Sequence, residues 1–289
     1  MSINLIHCQR HAMATLFEVW LGGDDDEHLS AVGEAILDEV KRIEKLLSRF
    51  DPTAELARVN REAYHHPVLV DHELFAILLD CQSRCQQTRG YFDICRAARF
   101  PEAVRLQPNR TVRLLRPEAA LDLGGYGKGY ALDAAAAILQ RFGVTSALLH
   151  GGTSSILAHG VRGPNQPWKI GIRNPFREDT EELTALRLND CGFSCSATFS
   201  PDSPESDLVD PHTRESPAEQ VACVVITPTA VEAEVLSTGL LAMGKPRAMR
   251  YLDEESTRLP RCSVLWIEEQ ANQPILEWLR GPSHEGLHD

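Results

Sequence analysis

No apolar run among these 289 residues reaches the ~20 needed for a membrane-spanning helix. Residues Met1 to Arg10 hold no basic segment followed by an apolar one, so no secretory leader is read there. The expectation is a cytoplasmic protein that meets no membrane. A basic excess is missing too: 41 Asp and Glu outnumber 29 Lys and Arg, for a net charge of −12. That balance argues against a nucleic-acid partner, whose phosphates call for basic patches. The eight cysteines include Cys81-x3-Cys85 and Cys191-x3-Cys195, which lack the paired CxxC pattern, so no zinc site is expected. In a reducing compartment they serve as packing residues. The histidines are scattered, and His65-His66 beside Pro67 reads as loop. Internal repeats and low-complexity linkers are absent. The length suits one large domain or two lobes.

What is present reads as strands and helices without strict alternation, which predicts an α+β or mixed α/β fold. Residues 12–21 form a strand. Val32, Leu37, Val40, Ile43 and Leu47 recur at helical spacing, with Ser30 as candidate N-cap. The acidic run Asp24-Asp25-Asp26-Glu27 reads as solvated loop. A loop from Ser48 turns at Asp51-Pro52 and leads into a short helix before Asn60. Asp71 caps a helix through Leu74, Leu78, Cys81 and Cys85 that ends near Gly90. Another helix runs from about Lys128 to Phe142 and stops at Gly143. Residues 146–149 and 155–158 flank Gly151-Gly152 as a hairpin. Further strands are expected at 168–172, 183–188, 221–227 and 262–267. Pro201-Asp202-Ser203-Pro204 reads as a surface loop.

The densest signal is Leu121-Asp122-Leu123-Gly124-Gly125-Tyr126-Gly127-Lys128-Gly129-Tyr130. Four glycines and a lysine stand between an apolar lead-in and an Ala-rich helix. Glycine permits φ > 0 or close approach of a ligand to the backbone, and a helix start suits a phosphate. Lys128 adds a point charge. The spacing fits neither a P-loop, which needs glycine six residues before the lysine and Ser/Thr after it, nor G-x-G-x-x-G. Two readings stay open: a phosphate-holding loop, or a turn into a helix with a solvated lysine.

The helix expected over 230–243 opens with the capping box Thr229-x-x-Glu232 and stops at Gly244. It is apolar nearly all round, hence buried. Glu234 and Thr238 share one face. A buried carboxylate needs a partner. Either a hard cation such as magnesium takes oxygen from both residues, or Glu234 pairs with an arginine while Thr238 bonds back to the Glu234 carbonyl.

Together these segments resemble the ApbE family of FAD:protein FMN transferases. Met13-Ala14-Thr15 looks like its M-G-T. Residues Leu47 to Asn60 are similar to L-S-x-[FY]-x-P-x-S-E-L-x-x-x-N. Gly90-Tyr91-Phe92-Asp93 looks like G-A-F-D, and Asp122 to Tyr130 with Asp133 like D-L-G-G-I-A-K-G-Y-x-x-D. Gly151-Gly152 falls at G-G-D, Asp210-Pro211-His212-Thr213 at D-P-R-T, and Ala233 to Thr238 at A-D-A-L-S-T. The resemblance spans about residues 12–244. Departures include Ala14, Thr153 for the G-G-D acid, Cys195-Ser196-Ala197 for T-S-G, Asp207 and Arg214 in H-I-I-D-P-R-T-G, and Glu234 for the metal-binding aspartate.

The resemblance implies a single ApbE-like, T-fold-like domain over 1–289, a two-lobed α+β body of mixed sheets and packed helices. It implies an enzyme that transfers FMN from FAD to a Thr/Ser hydroxyl of a target flavoprotein, releasing AMP, with Mg2+. Lys128 and Glu234 would be catalytic. Met13, Phe50, Tyr91, Phe92, Asp93, Asp122, Lys128 and Leu208 would bind the flavin nucleotide. Gly125, through its carbonyl, Glu234 and Thr238 would hold the metal. A non-catalytic FAD-binding relative and an FAD pyrophosphatase are the alternatives.

Overall fold

A computed structural model describes residues 4–163, 166–177, 182–199, 208–215, 217, 219–259, 261–271 and 273–281. The loop expected at 201–204 lies outside the described residues, as does Asp207. The chain begins with a hairpin of β1 (Leu5–Ala12) and β2 (Thr15–Gly22). The strand expected over 12–21 is therefore only the second arm. Its turn is Met13-Ala14, with φ of 50° and 58°. Neither residue type favours that conformation, so nothing in the sequence marks the turn.

Helix α1 (Asp26–Leu47) is capped by Asp25, which accepts from the His28 amide. Ser30 is not the cap; its hydroxyl donates to the Asp26 carbonyl. The acidic run read as solvated loop supplies the cap and the first turn, where negative charge suits the helix end. Then come α2 (Glu55–Glu62), β3 (Val68–Leu69), α3 (His72–Gln87), β4 (Cys95–Arg96), α4 (Phe100–Ala103), β5 (Val104–Gln107), β6 (Thr111–Leu114) and β7 (Ala120–Leu121). Asp71 caps α3 as expected. After α5 (Gly127–Arg141), β8 (Ala147–Gly151) and β9 (Ser155–His159) form the expected hairpin. The remainder is β10 (Trp168–Arg173), β11 (Glu182–Leu188), β12 (Cys191–Ala197), β13 (Val221–Thr227), α6 (Ala230–Met243), α7 (Lys245–Glu254), β14 (Ser263–Gln270) and β15 (Gln273–Arg280). No helix among the described residues is long and apolar enough to cross a membrane.

The architecture is α+β. Eight antiparallel strands make one sheet in the order β1-β2-β8-β9-β12-β13-β14-β15. Period-2 alternation splits its residues between two faces. Phe17, Val19, Leu21, Leu149 and Leu157 pack beneath α1 and α5, and Cys223, Val225, Val264 and Trp266 beneath α6 and α7. Leu148, Ile156, Phe193, Val224 and Leu265 point the other way, against the β10–β11 hairpin.

Helix α6 is held unusually close. A Cβ on Gly129 of α5 would lie 2.7 Å from the Ala230 carbonyl oxygen, and one on Gly192 of β12 would lie 2.4 Å from the Ala230 nitrogen. Thr229 caps α6, accepting from the Glu232 amide. Asp133 of α5 accepts from the Ala230 and Val231 amides at 2.8 and 3.0 Å. These satisfy donors that a helix start otherwise leaves unpaired.

Burial pushes the Asp133 carboxyl up to about 6, against the opposing pull of the two amides. On falling pH, a raised carboxyl takes up its proton in the folded state before it does in the unfolded chain. Its contribution is therefore greatest below the unfolded pKa and is lost as pH rises through about 6. Asp133→Asn should remove this slope. Between about pH 4 and about pH 6, wild type should lose roughly 3 kcal/mol relative to the variant, at about 1.4 kcal/mol for each pH unit. Urea unfolding at stepped pH measures it; parallel curves for the two proteins would reject it.

Candidate active site

The segment after β7 and the first half of α6 face one cleft of about 690 Å³. Its lining includes Phe50, Tyr91, Phe92, Asp93, Asp122, Gly125, Lys128, Leu208, Glu234 and Thr238. Among the expected site residues Met13 stands apart. It sits in the β1–β2 turn, donates its amide to Glu44 Oε1 at 2.6 Å, and packs its side chain on the core.

None of Gly124, Gly125, Gly127 and Gly129 has a positive φ. The glycines serve close approach instead, and mostly to protein. Gly129 admits the α6 backbone, while Gly125 lies where an added Cβ would be 3.3 Å from Thr238 Oγ1. The Tyr126 and Gly127 amides are already taken by the Leu123 carbonyl. The cationic element of this helix start is thus the Lys128 side chain.

Lys128 is paired at its tip rather than only solvated. Its Nζ lies 3.1 Å from Glu234 Oε1 and donates to the Gly124 carbonyl at 3.3 Å. Glu234 therefore pairs with a lysine rather than the arginine considered from sequence. Its side chain is 2% exposed. Oε1 also accepts from Ser155 Oγ at 2.5 Å, whereas the buried Oε2 has no partner among the described residues. Leaving a buried carboxylate oxygen unpaired is costly, and native structures rarely do so without a ligand or ion in view.

Thr238 does not bond back to the Glu234 carbonyl; Ser237 does, at 3.2 Å. Thr238 Oγ1 instead lies 3.4 Å from Ser196 Oγ, which is 2.9 Å from Ser237 Oγ. Ser237 Oγ in turn lies 3.0 Å from Ser194 Oγ. A hydroxyl-lined floor contributed by β12 thus underlies α6. Ser196 and Ser237 fall in quoted segments but were given no role, whereas sequence reasoning missed Ser194 and Ser155 because only strand pairing assembles them: Ser194 stands opposite Ser155 across β12 and β9.

At the mouth, Asp122 Oδ2 lies 2.9 Å from Arg49 Nε and accepts from Arg96 Nη1 at 3.0 Å, while Oδ1 accepts from the Gly124 amide. The Arg49 contact is an ion pair without hydrogen-bond alignment. The Arg49 guanidinium also stacks on Phe50 at 3.9 Å, and Phe50 is 76% exposed. Asp93 accepts from the Cys95 and Phe100 amides at 2.8 and 3.0 Å, and burial raises its pKa. It shapes the wall of the cleft. Tyr91 packs against His212 with ring centroids 4.5 Å apart.

The donor set can be tested against a cation. No group of three or more His, Cys, Asp or Glu suited to a metal occurs among the described residues. One carboxylate oxygen lacking a partner, one threonine hydroxyl and a closely approaching glycine loop form an oxygen-only set. That fits magnesium, which is commonly held by one or two carboxylates together with substrate phosphates.

The model of the ApbE family matches residues 13–99 and 95–261. This chain belongs to the ApbE family. Among curated ApbE relatives, the FAD:protein FMN transferase of Klebsiella pneumoniae is 28% identical over 145 residues, covering 48% of this chain and 41% of that protein. The chain thus spans about two fifths of the length of the first relatives it matches. The Haemophilus influenzae FAD:protein FMN transferase is 22% identical over 309 residues, covering 89% of this chain and 88% of that one. The structure of the flavin transferase ApbE from Vibrio cholerae superposes with a TM-score of 0.80 at 19% identity, over 96% and 97% of the two chains. Apo Pseudomonas stutzeri flavinyl transferase ApbE gives 0.80 at 17%, over 96% and 95%. These likenesses establish an ApbE fold. Within it, Arg49 and Arg96 are rim groups to which the sequence reading gave no role.

Proposed function

We propose that this chain is a magnesium-dependent FAD:protein FMN transferase. It moves FMN from FAD to a Thr or Ser hydroxyl of a target flavoprotein and releases AMP. The observation that carries the reading is the buried, unpartnered Glu234 Oε2 in the same cleft as Thr238 and the Gly125 loop. Glu234, Thr238 and the Gly125 carbonyl would hold the ion, which when bound would supply Lewis-acid neutralisation of pyrophosphate charge.

The chain's own groups do the rest. Lys128 donates to the Gly124 carbonyl and ion-pairs with Glu234, and its ammonium keeps a donor for a phosphate oxygen. Its charge offsets the charge that builds on departing AMP. Phe50, Tyr91, Phe92 and Leu208 offer apolar surface to the flavin, and Asp122, braced by two arginines, meets the nucleotide at the mouth. The full chain acts as one unit in the cytoplasm, where its unpaired cysteines stay reduced.

Mixing the purified chain with FAD, magnesium and a flavoprotein acceptor should give AMP and an FMN mass increment on the acceptor. Binding of FAD with no AMP, across several acceptors and metals, would instead indicate a non-catalytic relative. AMP and FMN formed without acceptor would indicate a pyrophosphatase.

A further inference from the structure

Glutamate at position 234 has one more rotatable bond than an aspartate would, so its carboxylate needs more than the helix to aim it. Two groups do so from one side. Lys128 is a flexible, 22% exposed side chain that can follow the carboxylate. Ser155 is different. It begins strand β9, is 1% exposed, and lies on the helix-facing side of the sheet. A carboxylate only accepts, so the 2.5 Å contact fixes Ser155 as the donor. Ser154 Oγ, 3.4 Å away, and the cross-strand neighbour Ser194 complete a rigid setting for that hydroxyl.

We propose that Ser155 is the positioning residue of the cation site: it locks Oε1 of Glu234 in place so that Oε2 alone is presented to the ion. The inference rests on the magnesium reading of Glu234. It assigns a task to a serine three residues beyond Gly152, outside the segments that resemble the family. Loss of a hydrogen-bonding partner behind a metal ligand typically weakens metal affinity 10–100-fold.

The test is Ser155→Ala in the full chain. Without acceptor, flavin fluorescence gives the magnesium concentration for half-maximal FAD binding; with acceptor, AMP release gives the magnesium dependence and the maximal rate separately. The magnesium midpoint should rise by about 10–100-fold in both assays, while the maximal rate at saturating magnesium stays close to wild type. Ser155→Thr, which keeps the hydroxyl on a strand that suits a β-branched residue, should restore the midpoint. Ser146→Ala, at a buried serine whose hydroxyl has no hydrogen-bond partner among the described residues, should leave it unchanged. If Ser155→Ala does not fold, Ser155→Cys carries the same expectation, because S–H is a weak donor.

An unchanged midpoint in Ser155→Ala, or a fall in maximal rate with an unchanged midpoint, would overturn the proposal. Glu234→Gln separates the two readings. If it shifts the midpoint and Ser155→Ala does not, only the role of Ser155 fails. If neither shifts it, the cation assignment itself fails.

Discussion

Glu234→Gln is expected to raise the magnesium requirement for AMP release by more than ~100-fold, beyond the range for partners that only support a ligand. The substitution keeps shape. Its amide oxygen can still accept from Ser155 and Lys128 at the Oε1 position. At the Oε2 position it places an NH2 donor where the structure has an unpartnered acceptor. A cation is then met by the wrong dipole in a buried setting, where electrostatics weigh heavily. Circular dichroism should be unchanged, since among the described residues no backbone group hydrogen-bonds to this carboxylate. Wild-type magnesium dependence in the variant would return Glu234 to the role of a structural partner for Lys128.

Gly129→Ala is expected to damage stability and activity together. The new Cβ would meet backbone at 2.7 Å, from the carbonyl oxygen of Ala230, and backbone cannot rotate aside as a side-chain tip can. Helices α5 and α6 must part, which overpacking data place at about 1–3 kcal/mol or more. Asp133 then loses its hold on the Ala230 and Val231 amides. Because α5 carries Lys128 and α6 carries Glu234 and Thr238, the site is displaced with them. A shift near 1 Å costs on the order of 10²-fold in rate. Denaturant midpoint and AMP release, measured well below the melting temperature, should fall together. Full activity with wild-type stability would show that the two helices separate freely.

The parts of the fold legible in the sequence were those written in local chemistry. Thr229 and Glu232 announced the start of α6, Asp71 that of α3, and Gly151-Gly152 the β8–β9 hairpin. The Met13-Ala14 turn was hidden because two residues with no turn preference occupy a left-handed conformation. Asp25 was passed over for Ser30 because an acidic run looks like solvent-facing loop until its helix is known. Strands β3 to β7 are two to four residues long, too short to show a period. The site divides along the same line. Asp122, Gly125, Lys128, Glu234 and Thr238, expected from contiguous segments, line one cleft. Ser155 and Ser194 do not lie in such segments; their proximity is a product of sheet order. The glycines were noticed for a ligand, yet Gly129 is needed by the helix beside it.

The sheet order has a bearing on how the chain reaches its native state. Strand β2, residues 15–22, has β8, residues 147–151, as its inner neighbour. During synthesis the N-terminal hairpin therefore emerges long before the strand that completes it. Its inner edge carries unpaired amides and carbonyls in the meantime, the kind of template that invites pairing between chains. Closing such a long loop is slow, since its entropy is lost before the contacts form. Helix α1 emerges at once behind the hairpin and packs on its apolar face through Leu29, Val32 and Ile36, so it can mask that face early. The edge itself is protected only when β8 arrives, which makes the interval between the two strands the aggregation-prone phase of biogenesis.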